Sequence, residues 1–479
     1  MPVLDHLEPK NVFHFFEELC AIPHGSGNTK AISDWCVDFA KARGLEYHQD
    51  QWNNIMIIKE ASAGYETAEP IILQGHMDMV CEKALGCEKD MAREGLELAV
   101  EGDTVYAKGT TLGGDDGIAV AMALAVLDDN SLPHPRVEAV FTVDEEIGML
   151  GATALDVSPL RGRTLLNLDS EDEGVFTVSC AGGCLARCLL PVRREKFGAE
   201  ILTVTVGGLQ GGHSGTEIDK GRGNACMLLG RALTACDRET ELRLVSVNGG
   251  WKDNAIPRTA TAVVAVADAR KAKAVCARLD AVLKSEYKMT DGDIFLSVER
   301  TAAEEAPMDK ASTSRVLCFL TCAPNGVQVM SAGIPGLVQT SLNLGILTTE
   351  QDAVAASFCV RSSVDSQKQM LVERLTCLTE TLGGTVAVSG DYAAWEYRPD
   401  SPLRERMIEV FREQYGHDPK IEAIHAGVEC GILAGKLPGL DVVSIGPDLT
   451  EIHTPRERMH IASVQRTWAL VTELLKRSR

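Results

Sequence analysis

A chain of 479 residues exceeds the roughly 250 to 300 at which a single hydrophobic core stops growing, so two domains are expected. Hydrophobic residues at 45% and charged residues at 24% are ordinary for a packed protein and exclude disorder. Lys plus Arg number 47 against 68 Asp plus Glu, a net charge of −21 whose field repels phosphate backbones and anionic lipid, so neither nucleic acid nor membrane is an expected partner.

The most uniformly apolar stretch, residues 117–127, is far shorter than the roughly 20 residues of a membrane span. The N-terminus also lacks a basic-then-apolar signal peptide, and a soluble, cytoplasmic protein is expected. Fifteen cysteines make an odd number in a long chain, and no CxxC pair occurs. Reduced, mostly buried thiols are therefore expected, despite the even spacing of Cys180, Cys184 and Cys188.

In chain order, Val12, Phe13, Phe16 and Leu19 recur at helical spacing over residues 11–20. A second helix is predicted over 30–43, with Gly44 as its C-cap. Strands follow at 54–59 and 70–74, then a helix buried on nearly all sides at 117–127. Residues 137–143 alternate like a strand, and 164–168 and 442–445 are short apolar runs typical of buried strands. The C-terminal residues 461–476 return to helical periodicity.

The middle of the chain predicts strands at 201–206 and 259–267 and a helix at 221–235. Residues 253–266 and 340–360 both place an Asn-containing turn before an alternating apolar strand, which suggests an internally duplicated α/β unit. The expected organisation is an α/β catalytic domain with a mixed central sheet flanked by helices. It is built from residues 1–186 and 398–479, with an α/β domain, 187–397, inserted between them.

Polar residues of metal-ligand type recur just beyond the buried strands. His76 and Asp78 follow the strand at 70–74, and a one-residue spacing puts both side chains on one side of an extended chain. Alone, His-x-Asp is more often a structural hydrogen bond than a metal ligand. Asp144, Glu145 and Glu146 follow 137–143, Asp169 follows 164–168, and the loop after 442–445 reaches His453. Asp115 and Asp116 lie in GGDDG, directly before the buried helix. A lone acidic run reads as a solvated face, but open α/β sheets bind ligands beyond the carboxyl ends of their strands.

Acids clustered without a cation would raise each other's pKa, so a cation or cation pair is the economical explanation. His76, Asp115, Glu146, Asp169 and His453 are too many ligands for one catalytic zinc with an open position. Two divalent ions sharing an aspartate and a hydroxide would each be close to four-coordinate. Mixed oxygen and nitrogen donors suit two Zn²⁺, with Mn²⁺ or Co²⁺ as substitutes. Glu145, beside a ligand, stays free to act as a base.

The motifs GHMDMV, LGGDDGIAVAMALAVL, DEEIGMLGA, NLDSEDEG, GGHSG, HAGVECG and IGPDLTEIHTPRERM span nearly the whole chain. Together they resemble those of the aminoacyl-histidine dipeptidases, or cytosol non-specific dipeptidases, within the aminoacylase and carboxypeptidase-G group of di-metal peptidases. The resemblance implies a di-zinc α/β catalytic domain with an inserted lid, hydrolysing dipeptides (Xaa-His and broader) in the cytoplasm through a metal-bridging hydroxide. It implies metal on His76, Asp115 (bridging), Glu146, Asp169 and His453, Glu145 as general base, and Asp78 as the residue that orients His76.

By the same resemblance His213 stabilises the oxyanion, while Asn254 and Arg361 contact substrate. From the residues alone, His213 reads equally as a turn histidine and Arg361 as half of a surface ion pair. A homodimer is compatible with this reading. The chain departs from the family pattern at Asp116, where relatives have Asn, which adds a charge near the metals and leaves its protonation open.

The nearest alternative is an N-acyl amino acid deacylase with the same metal chemistry. Weaker alternatives are a thiol nucleophile at Cys430, close to His425, and a retired scaffold. The base and every ligand are retained, which argues against retirement.

Overall fold

The computed structural model describes residues 2–303 and 305–479. Its contacts form two units. One comprises Met1–Ser179, Tyr397–Ala423 and Val428–Arg479, and the other Cys180–Glu396 with Ile424–Gly427.

The first unit is built on an eight-stranded mixed sheet in the order Glu46–Gln49, Ile55–Lys59, Val137–Thr142, Ile71–His76, Thr164–Asn167, Asp441–Ser444, Val175–Cys180, Lys420–Ile424. The four central strands, Val137–Thr142 through Asp441–Ser444, run parallel, and their neighbours Ile55–Lys59 and Val175–Cys180 pair antiparallel. Parallel strands are covered on both faces, which is why these segments read as near-continuous apolar runs.

The helix Gly114–Asp128 buries every residue from Gly117 to Leu127. It lies close to the sheet at Gly75, where an added Cβ would come within 2.6 Å of the Ala119 Cβ. At Gly117 the absent Cβ leaves room for the Phe16 ring of Lys10–Cys20. That helix buries Val12, Phe13, Phe16 and Leu19, each worth about 1.5–3 kcal/mol of apolar burial. The helix Lys30–Arg43 ends at Gly44 in the left-handed region, the expected cap.

The second unit holds a nine-stranded antiparallel sheet covered by helices. Four strands in chain order, Glu200–Gly207, Leu242–Gly249, Ala260–Val266 and Phe295–Arg300, lie fourth, first, third, second across the sheet. The strands Gly182–Pro191, Val338–Thr349, Ala353–Ser362 and Thr385–Tyr392 repeat that order, and the two sets meet where Gly249 pairs with Leu347. In each set a helix precedes the second strand and another precedes the fourth. The unit is thus duplicated, with one copy inserted into the other.

Two expectations shift. Asn343 lies within the strand Val338–Thr349, and so not in a turn: its amide donates to the Ala255 carbonyl at 2.9 Å. The helix expected over 221–235 runs Ala225–Glu239. A short 3₁₀ turn, Ile218–Lys220, ends at Gly221 (φ +67°), and Asn224 caps the helix by accepting from the Cys226 and Met227 amides.

Candidate metal centre

The central strands of the first unit end level with one another: His76 pairs with Thr142, Gln74 with Asn167, and Asn167 with Ser444. Residues just beyond those ends therefore collect at one edge of the sheet. His76 is the last residue of its strand, Glu145 and Glu146 follow Val137–Thr142, and Asp169 follows Thr164–Asn167. Asp115 has non-helical backbone angles at the start of Gly114–Asp128. His453 (φ +58°) sits in the loop of a hairpin between Leu449–Thr450 and Arg458–His460, which belongs to a separate four-stranded sheet.

The side chains converge. Nε2 of His76 lies 3.2 Å from Oδ1 of Asp115 and 3.6 Å from Oδ1 of Asp169. Nε2 of His453 lies 3.0 Å from Oδ2 of Asp115 and 2.9 Å from Oε1 of Glu146. Asp115 thus turns one oxygen toward each imidazole. Three groups of donors lie within 4.8 Å of one another: His76, Asp116 and Asp169; His76, Glu145 and Glu146; Asp115, Glu146 and His453. Tetrahedral zinc with bonds of about 2.0–2.1 Å sets its donors about 3.3 Å apart, so these separations suit divalent ions on either side of Asp115.

The protonation pattern points the same way. His453 is pushed up to about 10 by its hydrogen bonds to Asp115 and Glu146. Burial lowers His76, but Asp169, Asp115 and Asp78 outweigh it and hold the ring cationic well above its usual range. Burial pushes Glu145 up to about 9 and Asp169 up to about 6, with neighbouring carboxylates adding to both. Protons on two imidazoles thus balance an excess of buried carboxylates, and divalent cations would take over that role.

Asp78 has a double part. The Nδ1–H of His76 donates to the Asp78 backbone carbonyl at 2.9 Å, with the carboxylate at 3.5 Å, and this leaves Nε2 for the cluster. The Asp78 carboxylate itself accepts from the Glu145 amide at 3.1 Å and the Ser26 hydroxyl at 2.8 Å. One residue therefore orients both His76 and the turn that carries Glu145. Asp116 is buried and accepts from the His76 amide at 3.2 Å; burial and the nearby Asp169 raise its pKa well above the carboxylate range. Its side chain thus resembles a neutral acid, close in chemistry to an amide.

In the second unit, His213 pairs with Ala255 across a short two-stranded ribbon, next to Asn254, whose carbonyl accepts from the Ser214 amide. Nδ1 of His213 accepts from the Thr216 and Gly215 amides at 3.1 and 3.3 Å, which places the ring proton on Nε2. Burial and the Arg361 charge lower its pKa, so the ring is neutral at pH 7 and donates from Nε2.

Arg361 is buried and donates to the Tyr392 hydroxyl at 3.0 Å. Among the described residues it has no carboxylate partner, which removes the surface ion-pair reading. His425, weighed in the sequence only as a neighbour of Cys430, bonds Ser341 through Nε2 at 2.7 Å. Its Nδ1 has no partner among the described residues, and burial, Arg361 and His213 push it down to about 3.

A buried hydrogen-bond chain next to the first unit's candidate ligands is not apparent in the sequence. Glu429 accepts from Gln74 at 2.6 Å and Thr142 at 2.5 Å, Gln74 accepts from Asn167 at 2.6 Å, and Asn167 accepts from the Asp169 amide at 3.3 Å. It links Glu429, which burial pushes up to about 7, to the backbone of Asp169.

Comparison with known proteins adds to this geometry. The model of peptidase family M20/M25/M40 matches residues 72–477. The cytosol non-specific dipeptidase of Escherichia coli (strain K12) is 38% identical over 480 residues, 99% of each chain. The aminoacylhistidine dipeptidase of Vibrio alginolyticus superposes with a TM-score of 0.94 at 36% identity, covering 99% of this chain and 97% of that one. Aminopeptidase PepT of Bacillus cereus, at 16% identity and a TM-score of 0.58 over 98% of this chain and 99% of that one, shares the fold.

Proposed function

Since the chain belongs to peptidase family M20/M25/M40, we propose that it is a metal-dependent dipeptidase whose ions are held by His76, Asp115, Glu146, Asp169 and His453. The observation that carries this reading is Asp115, which turns one carboxylate oxygen toward His76 and the other toward His453. Two Zn²⁺ fit the donor set, with Mn²⁺ or Co²⁺ as substitutes. When bound, such ions polarise the scissile carbonyl and acidify the attacking water.

Glu145 is the general base. Its carboxyl group is half-buried beside Glu146 and next to the cluster, so it can take the water's proton and deliver it to the departing amine. Asp78 supports that role by holding the Glu145 amide and the His76 ring together. Nε2–H of neutral His213 is a donor for the oxygen that gains charge in the transition state. Arg361 supplies the planar cation for the substrate's free carboxylate, with Asn254 hydrogen bonding alongside. A cytoplasmic location belongs to this reading, supported by the name of the Escherichia coli relative, a cytosol dipeptidase. No helix among the described residues is long and apolar enough to cross a membrane.

The test is a metal-reconstituted activity screen over free dipeptides, including Xaa-His, with tripeptides and N-acetyl amino acids beside them. Turnover confined to free dipeptides supports the reading. Preferential turnover of N-acetyl amino acids would replace it with a deacylase of the same metal chemistry.

A further inference from the structure

Glu457 is a buried carboxylate with no part in the chemistry above. It lies on the same hairpin loop as His453, four residues on. Its Oε2 accepts from the backbone amides of Leu112 at 2.7 Å and Gly113 at 3.1 Å, and its Oε1 accepts from those of Gly114 at 2.8 Å and Asp115 at 3.4 Å. Four consecutive amides thus close around one carboxylate, and they belong to the loop that presents Asp115. Among the described residues Glu457 has no cationic side chain within ion-pair distance. The backbone amides, whose dipoles point at the anion, are its compensation.

The local sequence is shaped for this contact. Gly113 has φ +68°, and a side chain there would meet the Met79 sulfur at 2.8 Å. An added Cβ at Gly114 would meet Glu457 itself at 3.2 Å and Leu449 at 3.1 Å. The two glycines let the backbone curl around the carboxylate.

We propose that Glu457 is a positioning residue that joins the Asp115 loop to the His453 loop and so fixes the site of the ion shared by Asp115, Glu146 and His453. The inference rests on the metal-ligand reading above and goes beyond it. His76 and Asp169 stand at the ends of adjacent parallel strands and keep their places without Glu457. Asp115 and His453 stand on separate loops, 338 positions apart, and Glu457 binds one loop to the other. Its loss should therefore weaken most the ion held by Asp115, Glu146 and His453, and weaken less the ion on the His76 side, which shares Asp115 but keeps its strand-end ligands.

Glu457→Gln keeps the volume but turns an NH₂ toward two N–H donors. Glu138→Gln serves as a control, because Glu138 is also buried and accepts from the Arg161 and Gly162 amides at the opposite end of the sheet. Both proteins are stripped with a chelator and reloaded with zinc, and the affinity for each ion is measured by competition with a chromophoric chelator. Cobalt-loaded samples are compared by visible absorption.

Glu457→Gln should bind one ion at least tenfold more weakly than wild type and the other with a smaller loss, with an altered cobalt spectrum. Glu138→Gln should melt lower and bind both ions as wild type does. Folded Glu457→Gln with two wild-type affinities overturns the proposal.

If Glu457→Gln does not fold, hydrogen exchange on metal-free wild type decides. The amides of residues 112–115 should stay protected without metal, and free exchange there overturns the proposal. A wild type that binds fewer than two ions overturns the two-ion reading and this proposal with it. That failure shows in the unmutated protein and is told apart for that reason.

Discussion

Asp115 and His453, 338 positions apart in the chain, bring Oδ2 and Nε2 to within 3.0 Å. The other oxygen of Asp115 faces His76 at 3.2 Å, so one side chain addresses both halves of the cluster. Replacing it should affect both halves at once. Asp115→Ala is expected to lose metal and peptidase activity together, as read by metal analysis and turnover on the same samples. Two tightly retained ions in Asp115→Ala would remove this residue from the centre.

Glu145 is adjacent to Glu146, a proposed ligand, and its backbone amide is held by Asp78. Its removal should leave the ions in place while the proton has no carrier. Glu145→Gln is expected to keep two ions per chain and to lower turnover by roughly 10² to 10⁴. Unchanged turnover with full metal content would give the base to another group.

His425 yields a pH dependence of stability. Burial, Arg361 and His213 push its pKa down to about 3, with Asp219 opposing and Ser341 hydrogen bonded to the ring. An unfolded chain takes up the proton near pH 6.5, whereas the folded chain refuses it until about pH 3. The folded state therefore loses stability as pH falls through that window, by up to about 4 kcal/mol. Denaturant midpoints followed from pH 7 to pH 4 should fall more steeply for wild type than for His425→Asn. Parallel slopes would show that the folded ring takes up its proton as readily as the unfolded one.

Arg361 is proposed to hold the substrate's free carboxylate. A dipeptidase must hold a free carboxylate a fixed distance beyond the scissile bond, and Arg361 is a buried guanidinium with no carboxylate partner among the described residues. Amidating the C-terminus of a good dipeptide should sharply lower its turnover by wild type. Arg361→Ala should turn over acid and amide at similar, low rates. Equal rates on acid and amide by wild type would assign the arginine another role.

The clustering of candidate ligands in the first unit is legible in the sequence because buried parallel strands are apolar throughout, so His76, Glu146 and Asp169 stand out at their ends. The helix Lys30–Arg43 is equally plain, since Gly44 marks its end. The pairing of distant side chains is not legible. Glu429 meets Gln74 across 355 positions and Glu457 meets Leu112 across 345, and no local periodicity encodes either contact. The helix Ala225–Glu239 starts later than expected because Asn224 caps it, while the glycines before it belong to a 3₁₀ turn and its exit. Asn343 resembles a turn residue by type, yet it serves as a strand residue whose amide reaches the Ala255 carbonyl.

Asp115 is proposed to stand between two metal ions. The most direct measurement is anomalous diffraction at the zinc edge from crystals of the zinc-loaded protein. Two peaks about 3.5–4 Å apart are expected. One should lie beside His76 and Asp169 and the other beside His453 and Glu146, with Asp115 between them. A single peak, or a second one away from Asp115, would contradict the account.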